Sequence, residues 1–320
     1  MKQKHKEIVK LIKAYDKIII MPHARPDGDC MGSAFGLKGI LQASYPHKTI
    51  YVVGEETEYL HFLGRTDQIE DGEFDGALII AVDTANLDRL GDQRYGLGER
   101  IIKIDHHIDV APYGDVSWVD TTAPAVAQMI VELYQTFEKK WTCPPEAALA
   151  LYTGILTDTG RFKYAGVSER TFQAVAKLYT IGVNAQGVHT VLDTKSESLV
   201  RFKGYILLNY QKTKHGVAYI KINEALRNEH GVTMEEASSL VNELGVFEDS
   251  PIWVLLSEYE EAIVRARIRS KGPRIDDVAN RFDGGGHARA SGANVGTWEK
   301  AEALLEALDE RAQEYKETTT

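Results

Sequence analysis

Three short apolar runs in the first part of the chain end directly on acids and histidines. KIIIM at 17–21 leads through Pro22 into His23, Asp27 and Asp29. ALIIAV at 77–82 is followed by Asp83, and RIIKI at 100–104 by Asp105, His106 and His107. Short runs this rich in Ile and Val, bounded by polar residues, read as strands buried on both faces, the pattern of a parallel sheet covered by crossover helices. A carboxylate placed straight after such a strand lies at the carboxyl edge of the sheet, where open α/β folds bind their ligands. A further acid, Asp158, ends the apolar stretch YTGILTD. Carboxylates gathered at one edge repel one another, and divalent cations would remove that repulsion and supply chemistry.

A length of 320 residues exceeds what one hydrophobic core usually serves, so two domains are expected. Over residues 1–187, strands at Lys17–Met21, Thr49–Val53, Ala77–Val82 and Ile101–Ile104 should alternate with helices at Met31–Ala43, Pro124–Phe137, Pro145–Leu156 and Glu169–Ile181, behind an amphipathic N-terminal helix. Residues 188–210 read as one long connecting helix. Residues 211–320 mix a strand at Val217–Ile222, a helix at Met234–Leu244, strands at Ile252–Leu256 and Ala262–Arg269, a glycine-rich turn at Gly284–Gly286 and a closing helix from Trp298 to about Tyr315. The expected fold class is α/β: an N-terminal parallel-sheet α/β domain joined by a helical linker to a smaller α+β domain.

Taken singly, the polar residues have plain structural readings as well. His23 to Asp29 suits a solvated turn that caps a helix opening at Gly32 and Ser33. Asp83 suits a cap on a helix starting near Asn86. Asp158 at a helix C-terminus opposes the dipole and calls for positive charge; Arg161 either provides it or contacts substrate. In Asp105–His107, adjacent histidines in extended chain point to opposite sides, so one can ligate while the other faces substrate and a nearby carboxylate fixes a tautomer. Together, the separate segments deliver oxygen and imidazole donors without thiolate, which suits manganese, magnesium or iron better than structural zinc. Cys30 reads as a small residue filling space.

In the second part, Arg265, Arg267, Arg269 and Lys271 alternate along one strand and share a face. They form either a phosphate rail or a charge-protected edge. Gly284–Gly286 allows close backbone approach to a ligand or makes a flexible turn, with His287 and Arg289 beside it. His5, His47, His61, His189, His215 and His230 show no partner in the sequence and read as surface residues.

The ordered motifs resemble the DHH phosphoesterase superfamily: HxxPDGDxxGS at 23–33, VDT at 82–84, the DHH tripeptide at 105–107 and DTG at 158–160. GGGHARASG at 284–292 and the Arg269–Ser270 pair resemble its associated substrate domain. The resemblance implies two divalent ions, Mn2+ first and Mg2+ next. His23 and Asp27 would hold one, Asp29, His106 and Asp158 the other, with Asp83 bridging. His107 would lie beside the reacting phosphoryl group and Asp105 would orient a histidine, making Asp83, His106 and His107 the catalytic centre. Arg269 and the loop with Gly285, Gly286 and His287 would contact the terminal part of the nucleotide; Ser270, Lys271 and Arg161 are further candidates for substrate contact.

Length and layout resemble the stand-alone oligoribonucleases that also act on 3′-phosphoadenosine 5′-phosphate (pAp). They imply hydrolysis of very short RNA to nucleoside 5′-monophosphates and of pAp to AMP and phosphate. The alternative is a phosphodiesterase for cyclic or linear dinucleotides such as c-di-AMP or pApA. A pyrophosphatase shares the first motifs, but its usual partner domain lacks GGGH. A nucleotide-binding regulator with a decayed metal site would have lost ligands that are all present here.

The net charge of −10 argues against a protein that coats long duplex DNA and points to short RNA and nucleotides as partners. No apolar run is long enough to span a bilayer, so no membrane partner is expected. The N-terminus reads as an amphipathic helix rather than a signal peptide. Two cysteines cannot form a disulfide framework or a zinc-thiolate site, and a reducing cytoplasm is the simplest setting. The oligomeric state stays open, a homodimer included.

Overall fold

In a computed structural model the chain is described over residues 2–109, 111–259 and 262–319. It divides into two units, Met1–Asp193 and Thr194–Thr320. The first runs α1 (Lys2–Ala14), β1 (Lys17–Met21), α2 (Gly28–Ser44), β2 (Thr49–Val52), β3 (Leu78–Val82), β4 (Arg100–Asp105), β5 (Val116–Val119), α3 (Val126–Phe137), α4 (Pro145–Asp158), α5 (Glu169–Ile181) and α6 (Ala185–Asp193). Its sheet has the order β2-β1-β3-β4-β5 and every pairing is parallel. β3 is buried along its whole length, as its composition requires. β5, the brief VSWV, was not anticipated; it is too short to carry a period and pairs with β4 from Ile102 opposite Val116.

The packing of α2 on α4 places part of the site. Gly28, Gly32 and Gly36, spaced four apart, lay a groove along α2. A Cβ on Gly32 would lie 2.5 Å from the Ala150 carbonyl, and one on Gly154 would lie 2.9 Å from Asp29 Oδ1. Hydrogen side chains at these contacts let the two helices approach until Asp29 and Asp158 serve the same place.

The second unit runs α7 (Glu197–Asn209), β6 (Gln211–Lys212), β7 (Val217–Ile222), α8 (Glu224–His230), α9 (Met234–Ser239), β8 (Ile252–Glu258), β9 (Val264–Ser270), α10 (Asp276–Asn280), β10 (Gly284–His287), β11 (Ala290–Gly296) and α11 (Trp298–Thr319). Its sheet has the order β10-β11-β9-β8-β7-β6, parallel only between β7 and β8. One face buries Val254, Leu256, Ile268 and Val295 against α10 and α11. The other buries Trp253 and Leu255 against Phe202, Ile206 and Leu244.

Several expectations change here. The single helix expected over 188–210 is two, α6 and α7. Ser196 stops the chain between them, its hydroxyl accepting the Leu199 N–H at 3.2 Å as an N-cap. The helix expected over Met234–Leu244 is α9 followed by a 3-10 segment, Leu240–Val246. Gly284–Gly286 is no turn but the edge strand β10, paired with β11. A Cβ on Gly284 would lie 2.2 Å from the Gly292 carbonyl, so the glycines permit the pairing.

Four histidines read as surface residues have partners. His61 faces Glu56 Oε2 at 3.1 Å, His189 meets the Tyr152 hydroxyl at 3.0 Å, and His215 binds Asp309 through Nδ1 at 2.8 Å. His5 shares the buried face of α1 with Ile8, Val9 and Ile12. Its Nδ1 meets Thr136 Oγ1 at 2.8 Å, while its Nε2 is buried without a hydrogen-bond partner among the described residues.

Burial lowers the His5 pKa from 6.5 to about 4. The folded state therefore favours neutral His5, and its contribution is complete above pH 6.5 and lost as pH falls through about 4. The loss approaches roughly 3 kcal/mol. Urea unfolding of His5→Leu at pH 7.5 and pH 4.5 is expected to show a smaller acid-induced drop than the parent chain; an equal drop would contradict it.

Candidate active site

β1, β3 and β4 lie side by side, and their ends deliver His23, Asp83 and the pair His106–His107 to one edge of the sheet. α2 starts at the same edge with Asp27 as its cap; Asp27 Oδ1 accepts the Asp29 and Cys30 N–H groups at 3.1 and 3.0 Å. Its other oxygen lies 3.7 Å from His23 Nε2. Asp83 occupies the middle. Its Oδ2 is 3.7 Å from His23 Nε2, and its Oδ1 is 3.4 Å from His106 Nε2 and 3.5 Å from His107 Nδ1. Asp158 Oδ2 lies 3.5 Å from His106 Nε2.

Asp83 is buried, its Oδ1 has no hydrogen-bond partner among the described residues, and its backbone sits at φ 56°. A non-glycine residue enters that left-handed region at a cost of roughly 1–2 kcal/mol. The Asp83 N–H, bonded to the Ile104 carbonyl at 2.9 Å, helps hold it there. Asp83 caps no helix: the 3-10 segment beyond it starts at Leu87 behind Asn86.

This donor set fits divalent cations. The Nδ1 atoms of His23 and His106 face the carbonyls of Ala24 and Ala123 at 2.9 and 3.0 Å. A carbonyl can only accept, so Nδ1 carries the hydrogen in each neutral ring and Nε2 offers its lone pair to the carboxylates. Lone pair against carboxylate is repulsive unless a proton or metal ion stands between them. Among the described residues, three donor groups have ligand atoms within 4.8 Å of one another: His23, Cys30 and Asp83; Asp83, His106 and His107; and Asp29, His106 and Asp158.

The charges respond as such a cluster must. Burial opposes a charged His106, but Asp83, 3.4 Å away, with Asp29 and Asp158, outweighs it and raises its pKa to about 10. Burial likewise opposes a charged His23, and Asp27, the Ala24 carbonyl and Asp83 raise it to about 8. Burial, then the charge of Asp83, lifts Asp158 to about 7. Burial and the same neighbouring charge push Asp29 well above the carboxylate range. Burial, with the charge of Asp83, also keeps the Cys30 thiol neutral; its Sγ accepts the His23 N–H at 3.0 Å.

Two supports were not visible in the sequence. Asp29 carries the first turn of α3: its Oδ2 and Oδ1 accept the Val126 and Ala127 N–H groups at 2.6 and 2.9 Å. That helix has no side-chain cap of its own. Lys103, fully buried on β4, points its ammonium at the Ala85 carbonyl and Asp109 Oδ1, both at 2.9 Å, and lies 3.5 Å from Asp105 Oδ2. Asp105 Oδ1 in turn meets His107 Nδ1 at 2.9 Å. Burial opposes ionisation of Asp105, but His107 and Lys103 are among the groups that hold its carboxyl below the usual range.

His106 and His107 do not point to opposite sides. β4 ends at Asp105, the chain turns, and both rings approach Asp83 Oδ1. Arg161 pairs with Asp193 rather than Asp158. The cation beside Asp158 is His106.

In the second unit, Arg265, Arg267, Arg269, Gly285 and Gly286 line one open basin of about 450 Å³. Lys271 lies beyond the end of β9 and its ammonium donates to the Phe247 carbonyl, so it does not extend the row. The Ser270 hydroxyl is buried and donates to the Pro273 carbonyl at 2.6 Å. His287 is exposed at the end of β10.

Residues 17–155 match the model of the DHH family, N-terminal domain, and residues 214–314 match that of the DHHA1 domain. The chain is 38% identical over 311 residues to the bifunctional oligoribonuclease and PAP phosphatase NrnA of Bacillus subtilis (strain 168), covering 97% of this chain and 99% of that protein. It is 25% identical over 325 residues to the cyclic-di-AMP phosphodiesterase GdpP of Geobacillus thermodenitrificans (strain NG80-2), but spans only 48% of that protein. An exopolyphosphatase-related protein from Bacteroides fragilis shares the fold, with a TM-score of 0.87 at 24% identity over 99% of this chain and 98% of that one.

Proposed function

The chain belongs to the DHH family, a family of phosphoesterases, and we propose that it hydrolyses RNA of a few nucleotides to nucleoside 5′-monophosphates and pAp to AMP and phosphate. The observation that carries the reading is Asp83, a buried carboxylate whose two oxygens face different donor sets. His23 and Asp27 would hold one divalent cation, Asp29, His106 and Asp158 a second, with Asp83 shared. The oxygen-rich set favours Mn2+, then Mg2+. Divalent cations held there would supply Lewis-acid chemistry, polarising a phosphoryl oxygen and lowering the pKa of a water.

The chain's own groups do the rest. His107 is partly exposed and its Nδ1 is held by Asp105, which leaves Nε2 free to hydrogen-bond a phosphoryl oxygen or the departing ribose oxygen. Arg269, the backbone of Gly285 and Gly286, and His287 would bind the terminal phosphate. A substrate this short needs only that local positive patch, which accommodates the net charge of −10. Two buried, unpaired cysteines suit a reducing cytoplasm.

The test is a substrate panel with Mn2+: pAp, RNA of two to five nucleotides, long RNA and c-di-AMP. Turnover of pAp and the short RNAs is expected. Hydrolysis confined to c-di-AMP would overturn the reading in favour of the dinucleotide enzyme, which the likeness to GdpP keeps as the second possibility. On a dinucleotide, Arg269→Ala is expected to raise KM by roughly 10- to 100-fold, the worth of a charge-assisted hydrogen bond, with a smaller fall in kcat. An unchanged KM would remove Arg269 from the phosphate site.

A further inference from the structure

We propose that the open half of the second unit's sheet is a stepped platform for a linear oligonucleotide about three nucleotides long, with Arg267 and the Arg265–Tyr259 pair as its second and third steps. The inference rests on the reading of the chain as a short-RNA hydrolase and adds how length is sensed.

The strand register builds the steps. Residues directly opposite in a ladder share a face. Arg269 lies opposite Ala290, which lies opposite His287; Arg267 lies opposite Gly292, which lies opposite Gly285; and Arg265 lies opposite Asn294. On β8 the same rows continue as Trp253, Leu255 and Ser257. There the face is covered, with Trp253 and Leu255 buried against Phe202 and Leu244. Over β9, β11 and β10 the described residues leave it open, and Arg265 and Arg267 are exposed. Each row is two residues from the next, about 6.6–6.8 Å along a strand. That repeat is comparable with the phosphate-to-phosphate step of an extended single strand.

The rows differ in chemistry. The Arg269 row is the one assigned above to the terminal phosphate. Beyond it in that direction Lys271 turns away to Phe247, so the platform does not continue. In the middle row, Gly292 and Gly285 leave a bare shelf beside the Arg267 guanidinium, suited to a phosphate. In the last row, the Arg265 guanidinium lies over the Tyr259 ring at 4.3 Å. The Tyr259 N–H bonds to the Ile263 carbonyl at 2.8 Å, and its hydroxyl lies 3.3 Å from Ser238 Oγ. Such a flat cationic and aromatic pair is a stacking surface for a base. Asp283 lines the same basin as Asn294. Its carboxylate would repel a phosphate but can accept from a base amino group, so this end takes a base.

The test compares pAp with RNA of two, three and five nucleotides, using the full chain with Mn2+. For the parent chain, kcat/KM should rise about tenfold from two to three nucleotides and level off thereafter. Arg267→Ser and Tyr259→Ala should each lower kcat/KM on the trinucleotide about tenfold, through KM, while KM for pAp stays within about twofold. Arg267→Ser should also flatten the salt dependence on the trinucleotide by about 0.7 in log–log slope, the share of one phosphate on a single strand. Unchanged melting temperatures would show that both variants fold. Equal losses on pAp and trinucleotide, or no loss on either, would overturn the platform. Failure of the parent chain to turn over pAp or any short RNA would instead overturn the function proposed above.

Discussion

Asp83→Asn is expected to lower kcat at least about a thousandfold while leaving the metal-free chain folded. The activity loss follows from position: one carboxylate faces His23 on one side and His106 on the other, and among the described residues no other carboxylate is common to the donor groups holding His23 and His107. The chain stays folded because two effects oppose: the Asp83 charge raises Asp29 and Asp158, and removing it relieves both, whereas the same charge favours protonated His106 and His23, and that support is lost. Asn is the right substitute because it tolerates the left-handed backbone at φ 56°. Melting curves with and without Mn2+ separate the effects. Saturating metal should stabilise the parent chain, by about 2.7 kcal/mol at a hundred times Kd, and should stabilise the variant far less. Near-normal turnover by folded Asp83→Asn would contradict the shared-carboxylate role.

Asp29→Ala is expected to lose activity as completely but to destabilise the fold as well. Asp29 accepts two buried N–H groups from the first turn of α3, and removing it orphans both. Each orphan costs about 1–3 kcal/mol, partly offset by no longer burying a carboxylate beside Asp83. A net loss of about 2 kcal/mol should appear in urea unfolding with chelator present. Asp29→Asn, which keeps one acceptor oxygen, should fall between. If Asp29→Ala unfolds like the parent chain, α3 does not depend on this cap. The contrast with Asp83 distinguishes a residue that serves only the site from one that also builds the wall around it.

The strand ends are legible in the sequence because β1, β3 and β4 are apolar by composition, which places the acids and histidines after them at one edge of a sheet. The role of Asp29 in α3 is not, since its partners lie 97 and 98 residues away and nothing local marks a helix that borrows its cap. Lys103 interrupts an apolar strand without any local mark of its partner; only the fold brings its ammonium within 3.5 Å of Asp105. Other signals were present but outweighed. His5 stands in step with Ile8, Val9 and Ile12, a helical apolar face, yet imidazole suggests solvent. Consecutive glycines usually mark a turn, and Gly284–Gly286 is a strand because β11 comes too close for side chains. Ser270 and Lys271 share a motif with Arg269, but their polar atoms are spent on the Pro273 and Phe247 carbonyls.

If Asp83 joins two cation sites made by different segments, anomalous diffraction at the manganese edge from crystals grown with Mn2+ will show two peaks flanking the Asp83 carboxylate, one against His23 and Asp27, the other against Asp29, His106 and Asp158. A single peak, or two peaks of which either lies out of reach of Asp83, would contradict it.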